Sequence, residues 1–273
     1  MKLALNGATT MKADLATDIK VAGAAGFDYV EIWAAKLRDY LQAGTTGELA
    51  ALFRENGVAP YSINSIENVT FRTSEARAEL LFECDQLCRI ASEIACPFVV
   101  VVPGRLPDGA TREEVVDESV RILRQLGEVA EGFGVSLAFE FLGQPGCSVQ
   151  TLSLADAIVR DTARNNVGLV LDSFHFYAGG STIESIEALD PECLYVFHVN
   201  DAEDLPREQL DDRHRLLPGL GILPLAEIIA ALRRIGYDRV TSVEIFRPEY
   251  WQRDPLALAR DARAAVADVL GLA

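Results

Sequence analysis

The stretch TREEVVDESVRILRQLGEVAEGFGVSLAFEFL, residues 111–142, contains one complete repeat of the unit from which the chain is built. Its apolar residues first recur at the 3.6-residue spacing of an amphipathic helix. Thr111 is suited to cap that helix, and Glu114 three residues later completes a capping box. Glycines near the helix end are followed by an apolar run over 135–142, which predicts a buried strand. The repeating unit is therefore helix, glycine, strand.

The same unit recurs along the whole chain. Helix-like segments that end at Gly26, Gly57 and Gly236 are each followed within a few residues by a strand-like run. The strand-like runs are eight in number: KLALNGA (2–8), YVEIW (29–33), PYSINSI (60–66), PFVVVVP (97–103), VSLAFEFL (135–142), VGLVLDSF (167–174), LYVFHVN (194–200) and RVTSVEIF (239–246). No Pro/Ser-rich linker or low-complexity segment divides them, so we expect one domain over residues 1–273.

Eight βα units in this length predict an α/β fold, a single (β/α)₈ TIM barrel with its active site at the C-terminal ends of the strands. A doubly wound sheet is the competing architecture. It lacks support because no G-x-G-x-x-G motif follows the first strand-like run.

Charge and composition exclude several classes of partner. Lys and Arg number 25 against 41 Asp and Glu, a net charge of −16 that would repel a phosphate backbone, so we expect no nucleic acid partner. No apolar run approaches the roughly 18 residues of a membrane span, and the first 15 residues do not form a signal-peptide core. The five cysteines are scattered and odd in number, which predicts free thiols in a reducing cytoplasm.

Four strand-like runs, the fifth to the eighth, carry a polar residue near the C-terminal end. Side chains alternate between the two faces of a strand, and in these runs the polar residue shares its parity with small side chains. This parity places Glu140, Asp172, His198 and Glu244 inside the barrel, at one mouth. Bulky residues of opposite parity, Tyr195 among them, are predicted to face the helices.

Three carboxylates and one imidazole at one barrel mouth could coordinate a divalent metal ion, with Mn²⁺, Mg²⁺, Co²⁺ and Zn²⁺ as the candidates. The four strand-like runs contain no Lys or Arg near these residues to neutralise them, so the acidic groups would repel one another without a cation. For each residue taken singly, a structural hydrogen bond in the core is the alternative.

Other polar and aromatic residues near the strand ends are candidates for substrate binding. His175 lies just beyond the sixth strand, Arg215 in a Pro/Gly-punctuated loop after the seventh, and Trp251 after the eighth. A capping histidine, a solvated arginine and a packed tryptophan are the structural alternatives. A polar ring suited to a polyol ends the first three strands: Asn6, Glu31 and Asn64.

Five segments together resemble the sugar isomerase/epimerase superfamily of xylose isomerase-like barrels. They are LNGATT (5–10), NVGLVLDSFHF (166–176), FHVND (197–201), the R-x-x-P-G-x-G loop (215–221) and SVEIFRPEY (242–250). The resemblance implies one divalent metal ion held by the same four residues. It also implies that Glu140 and Glu244 are catalytic and flank the substrate carbons that exchange a proton.

The resemblance implies an isomerase acting on a small polyol ketone or sugar, most closely the inosose 2-keto-myo-inositol, through a cis-enediolate. The acidic loop after the seventh strand favours an unphosphorylated substrate, with a phosphorylated one as the alternative. A ketose 3-epimerase with the same metal site is the first alternative, and a metal-dependent dehydratase or a non-catalytic sugar-binding barrel are the others. A nuclease of the same fold needs a histidine-rich zinc cluster, which three histidines and the negative charge disfavour.

Overall fold

The computed structural model describes residues 1–272. Eight parallel strands form a closed barrel. These strands are β1 (Lys2–Asn6), β2 (Tyr29–Trp33), β3 (Ala59–Ile66), β4 (Phe98–Val101), β5 (Ser136–Glu140), β6 (Val167–Asp172), β7 (Leu194–Val199) and β10 (Val240–Val243). Their order around the barrel is β1-β10-β7-β6-β5-β4-β3-β2. A short antiparallel hairpin, β8 (Asp201–Ala202) and β9 (Arg215–Leu216), follows β7. The predicted (β/α)₈ barrel is confirmed.

The helices surround the barrel and pack their apolar faces on the outer side of the strands. They are α1 (Leu15–Ala25), α2 (Ala34–Tyr40), α3 (Thr46–Glu55), α4 (Ser74–Glu93), α5 (Arg112–Glu131), α6 (Leu152–Thr162), α7 (Ser173–Ala178), α8 (Ile183–Glu187), α9 (Leu225–Arg234) and α10 (Pro255–Val269). The capping box predicted for α5 is present, with Thr111 and Glu114 each bonding the other's backbone N–H. Within residues 1–272, no helix combines the length and hydropathy needed to cross a membrane.

Aromatic rings fill the N-terminal half of the barrel interior. The ring centroids of Tyr61 and Phe98 lie 5.2 Å apart, and those of Phe98 and Tyr195 lie 4.7 Å apart. Such pairs bury large areas and pack more favourably than their area alone would give. The polar residues at the C-terminal mouth therefore lie above a closed apolar floor.

Tyr195 was predicted to face the helices, and this prediction is wrong. The register between β6 and β7 shifts between Leu169 and Val170, which breaks the strict alternation on which the prediction rested. The Tyr195 ring belongs to the interior cluster. Gly168 leaves the space for it, because a Cβ there would lie 2.5 Å from the carbonyl oxygen of Cys193 and 2.6 Å from the Tyr195 ring.

Substitution of Gly168 by Ala tests this packing. We expect a loss of about 1–3 kcal/mol in the free energy of unfolding, because the added methyl overpacks against backbone and a stacked ring. The matched control is Gly47→Ala in α3, where a Cβ would meet only Thr45 Oγ1 at 3.9 Å. Urea denaturation of both variants measures the difference, and equal stability of Gly168→Ala and wild type would contradict the assignment.

Candidate metal centre

The structure brings together the four side chains that strand parity places at one mouth. Glu140, Asp172, His198 and Glu244 each offer one ligand atom, and these atoms all lie within 4.8 Å of one another. Glu140 and Asp172 end β5 and β6. His198 lies one residue before the end of β7, and Glu244 directly follows β10. All four are buried, and three carboxylates with one imidazole form a donor set that fits a divalent metal ion.

Strand register and a helix start hold this group in place. Asp172 pairs with His198 across β6 and β7, and His198 pairs with Ser242 across β7 and β10, so these residues share one level of the barrel. Asp172 is also the N-cap of α7, where its Oδ1 accepts the backbone N–H of His175 at 2.8 Å. Its Oδ2 accepts from Asn200 Nδ2 at 2.8 Å. The carboxylate is therefore fixed before any ligand binds.

The expectation that no basic residue neutralises the acidic group needs correction. Arg215, at the start of β9, is 1% exposed, and its Nη1 lies 2.9 Å from Asp172 Oδ2 and 3.0 Å from Glu244 Oε2. Its Nη2 donates to His175 Nε2 at 3.1 Å. The guanidinium group of Arg215 lies on the hairpin beside the barrel, so the sequence pattern of the barrel strands does not predict it.

The remaining negative charge still favours a dication. Burial and the charge of Glu244 raise the pKa of Glu140 to about 8. Burial opposes charge on His198, but the carboxylates of Glu244, Glu31 and Glu140 raise its pKa well above the usual value. Four buried acidic side chains, Glu31, Glu140, Asp172 and Glu244, thus face two basic ones, His198 and Arg215. A divalent ion would compensate this excess of acidic groups.

A cavity of about 260 Å³ opens above this group. It is lined by Trp33, Asn64, Ser65, Glu67, Val102, Glu140, Leu142, Gln144, His175, Asp212, Arg215, Glu244 and Phe246. The predicted substrate residues His175 and Arg215 are both in its wall. Its small size and polar lining suit a compact, hydroxylated ligand.

Asn6, also predicted to bind substrate, contacts a glutamate of the centre. Its Nδ2 donates to Glu244 Oε1 at 3.1 Å, and Asn64 Nδ2 donates to the same oxygen at 2.7 Å. Asn6 does not line the cavity. Asn6 therefore helps to fix the Glu244 carboxylate and does not contact the space where a ligand would bind.

Trp251, predicted to wall the pocket, lies elsewhere. A 3₁₀ turn over Tyr250–Gln252 carries its ring to the segment after β1, where Nε1–H donates to the carbonyl of Ala8 at 3.0 Å. It lines a separate surface cavity. Trp33 and Phe246 form the aromatic wall, with ring centroids 5.5 Å apart.

Besides Ser65 within β3, three further polar residues of the cavity were missed from the sequence. Glu67 follows the end of β3 by one residue, Gln144 lies four residues beyond β5, and Asp212 lies between β8 and β9. Gln144 Nε2 donates to Asp212 Oδ2 at 2.6 Å. Glu67 and Gln144 could have been predicted, because each lies a few residues past the end of a strand. Asp212 could not, because its place in the cavity wall depends on the path of the hairpin.

Comparisons with known proteins identify the family of this barrel. A family model described as xylose isomerase-like TIM barrel matches residues 19–268. An inosose isomerase of Bacillus velezensis is 36% identical over 271 residues, covering 97% of each chain. A D-psicose 3-epimerase of Enterocloster bolteae is 29% identical over 249 residues, covering 86% of this chain and 77% of the other. The crystal structure of the IOLI protein with a bound zinc atom superposes with a TM-score of 0.96 at 36% identity, covering 100% and 99% of the two chains.

Metal content tests the four-residue group. We expect wild type to retain about one zinc ion per chain after loading and gel filtration, as a three-carboxylate and one-imidazole set allows. Glu140→Gln and His198→Ala should each lower this content and weaken the rise in melting temperature that zinc produces.

His214→Ala is the matched control, since that histidine is paired with Asp211 in a loop outside the group. Elemental analysis and thermal melts give the readouts. Wild-type stoichiometry in both Glu140→Gln and His198→Ala would remove these residues as ligands.

Proposed function

Because the chain belongs to the xylose isomerase-like TIM barrel family, we propose that it is a divalent-metal-dependent isomerase of an unphosphorylated polyhydroxy ketone, with the inosose 2-keto-myo-inositol as substrate. The observation that carries the proposal is the pair of buried glutamates, Glu140 and Glu244, in the wall of a small polar cavity beside His198. The 36% identity to an inosose isomerase over nearly the full length supports the choice of substrate.

Glu140, Asp172, His198 and Glu244 would hold one ion, for which Zn²⁺, Mn²⁺, Co²⁺ and Mg²⁺ are all suitable. When bound, the ion would supply Lewis acidity that stabilises negative charge developing on the ketone oxygen. The zinc atom in the related structure supports zinc as the first metal to test.

The two glutamates would move the proton. One removes it from the hydroxyl-bearing carbon beside the ketone, and it or its partner returns it to the former carbonyl carbon. The hydroxyl proton moves to the former ketone oxygen, so that the carbonyl changes position through an enediolate of the substrate. Glu244 accepts N–H donors from Asn6, Asn64 and Arg215, which fix its carboxylate in the cavity wall. Among the described residues, Glu140 contacts the side chain of His198 alone, with its Oε1 3.1 Å from Nδ1.

His175 and Arg215 would bind substrate oxygens. Because Arg215 Nη2 donates to His175 Nε2, the proton of a neutral His175 is on Nδ1. This Nδ1 is buried without a hydrogen-bond partner in residues 1–272. It is therefore a donor that a substrate hydroxyl or carbonyl could satisfy.

The charge of the cavity favours a neutral substrate. Glu67 and Asp212 add two carboxylates to the wall, in addition to those of the metal centre. A phosphate group there would meet like charges, whereas hydroxyl groups can donate to these oxygens. Trp33 and Phe246 offer an apolar surface to the C–H face of a ring. These features support an unphosphorylated polyol.

The cysteines bear on the compartment. All five are free thiols, and the Sγ atoms of Cys84 and Cys88 lie 3.8 Å apart without a disulfide. Because disulfides form and persist in oxidising compartments, we propose that the protein acts in the cytoplasm.

A ketose 3-epimerase is the second candidate. The D-psicose 3-epimerase of E. bolteae is 29% identical to this chain over 249 residues. In that reaction the second glutamate would return the proton to the same carbon from the opposite face. Both reactions would use the same metal ligands and the same two glutamates. They differ in the substrate carbon to which the proton returns.

Isotope exchange distinguishes these reactions. We expect zinc-loaded enzyme in D₂O to incorporate deuterium into an inosose and to form its isomer, and Glu140→Gln and Glu244→Gln each to lose about 10²–10⁴-fold in rate. His214→Ala is the control. Mass spectrometry and NMR of a panel of inososes and ketohexoses identify the products.

A C3-epimerised ketohexose as the fastest product would select the epimerase. Absence of exchange with every substrate, in protein whose metal content is confirmed, would contradict both candidates.

A further inference from the structure

Glu31, in the middle of β2, is a carboxylate inside the barrel that proton transfer does not use. Its side chain is 0% exposed, as is that of His198. His198 Nε2 lies 3.0 Å from Glu31 Oε1 and 3.0 Å from Oε2. The other ring nitrogen, Nδ1, lies 3.1 Å from Glu140 Oε1 and 3.4 Å from Glu244 Oε2. The imidazole therefore bridges Glu31 on one side and the two glutamates of the metal centre on the other.

Hydrogen-bond chemistry gives the two ring nitrogens different roles. A carboxylate in its charged form only accepts, so the nitrogen facing Glu31 carries the proton. An imidazole that binds a metal ion does so in its neutral form, with one N–H and one lone pair, so a proton on Nε2 leaves the lone pair on Nδ1. Nδ1 is the atom that faces the other ligands, where a metal ion would bind.

We propose that Glu31 is a positioning residue that fixes the tautomer and orientation of His198, so that Nδ1 binds the metal. The inference rests on the proposed metal centre. A carboxylate partner of this kind also increases the basicity of the histidine, and its loss weakens metal binding in other proteins by about 10–100-fold.

The surroundings of Glu31 argue against a purely structural role. A buried carboxylate costs several kcal/mol unless its charge is compensated, so an apolar residue would fill this place in the core more favourably. Ser62, its register partner on β3, and Ser242 are buried beside the same carboxylate and stabilise its charged form. His198 is the ionisable partner, because its Nε2 contacts both carboxylate oxygens.

Zinc affinity tests the proposal directly, by competition with a chromophoric chelator. We expect Glu31→Ala to weaken zinc binding by about 10–100-fold. Glu31→Gln should lie between Glu31→Ala and wild type, because its amide oxygen still accepts from Nε2–H but without charge. Ser62→Ala is the matched control, since it removes a hydroxyl beside Glu31 and leaves the carboxylate–His198 contact in place, so its affinity should stay close to that of wild type.

A second measurement needs no variant. In zinc-loaded wild type labelled with ¹⁵N-histidine, we expect His198 to be protonated at Nε2 and metal-bound at Nδ1, and three histidines make the spectrum assignable. Protonation at Nδ1, wild-type zinc affinity in Glu31→Ala, or equal losses in Ser62→Ala and Glu31→Ala would each overturn the role of Glu31. A wild type that binds none of the candidate metals would overturn the proposed function, and this inference with it.

Discussion

Compensation of buried negative charge is the constraint on which this barrel mouth depends. Glu31, Glu140, Asp172 and Glu244 are all nearly inaccessible to solvent, and a charge in such a place needs a partner. Arg215 provides one positive charge, next to Asp172 and Glu244, and the imidazole of His198 contacts Glu31, Glu140 and Glu244. The hairpin after β7 places Arg215 beside Asp172 and Glu244, and the first turn of α7 donates a backbone N–H to Asp172. A divalent ion would complete the compensation.

The barrel interior has an apolar N-terminal half and a polar C-terminal half, and the metal centre lies in the polar half. Stacked aromatic rings fill the N-terminal half and form an apolar floor under the centre. The acidic side chains and His198 converge towards the mouth, where the loops after the strands add an aromatic wall and further carboxylates. A low-dielectric floor under charged groups strengthens every interaction among them, including any with a developing negative charge on a substrate.

The sequence predicted the features that depend on local periodicity. Strand parity placed Glu140, Asp172, His198 and Glu244 at one mouth, because alternation survives wherever the sheet register is regular. It misplaced Tyr195, since a register shift between neighbouring strands has no signature in the sequence of one strand alone. The contacts of Arg215 and Trp251 depend on how two loops fold back over the barrel, which periodicity does not encode. Loop residues of the cavity were missed for the same reason.

The central claim is that one set of side chains holds a metal ion against a polyol ketone, between two glutamates that move its proton. A crystal structure of the zinc-loaded protein with a bound inosose, with data at the zinc absorption edge, tests it most directly. We expect one anomalous peak among Glu140, Asp172, His198 Nδ1 and Glu244, with the ligand in the cavity in contact with His175 and Arg215. Zinc bound elsewhere, or an inosose outside this cavity at full occupancy, would contradict the account.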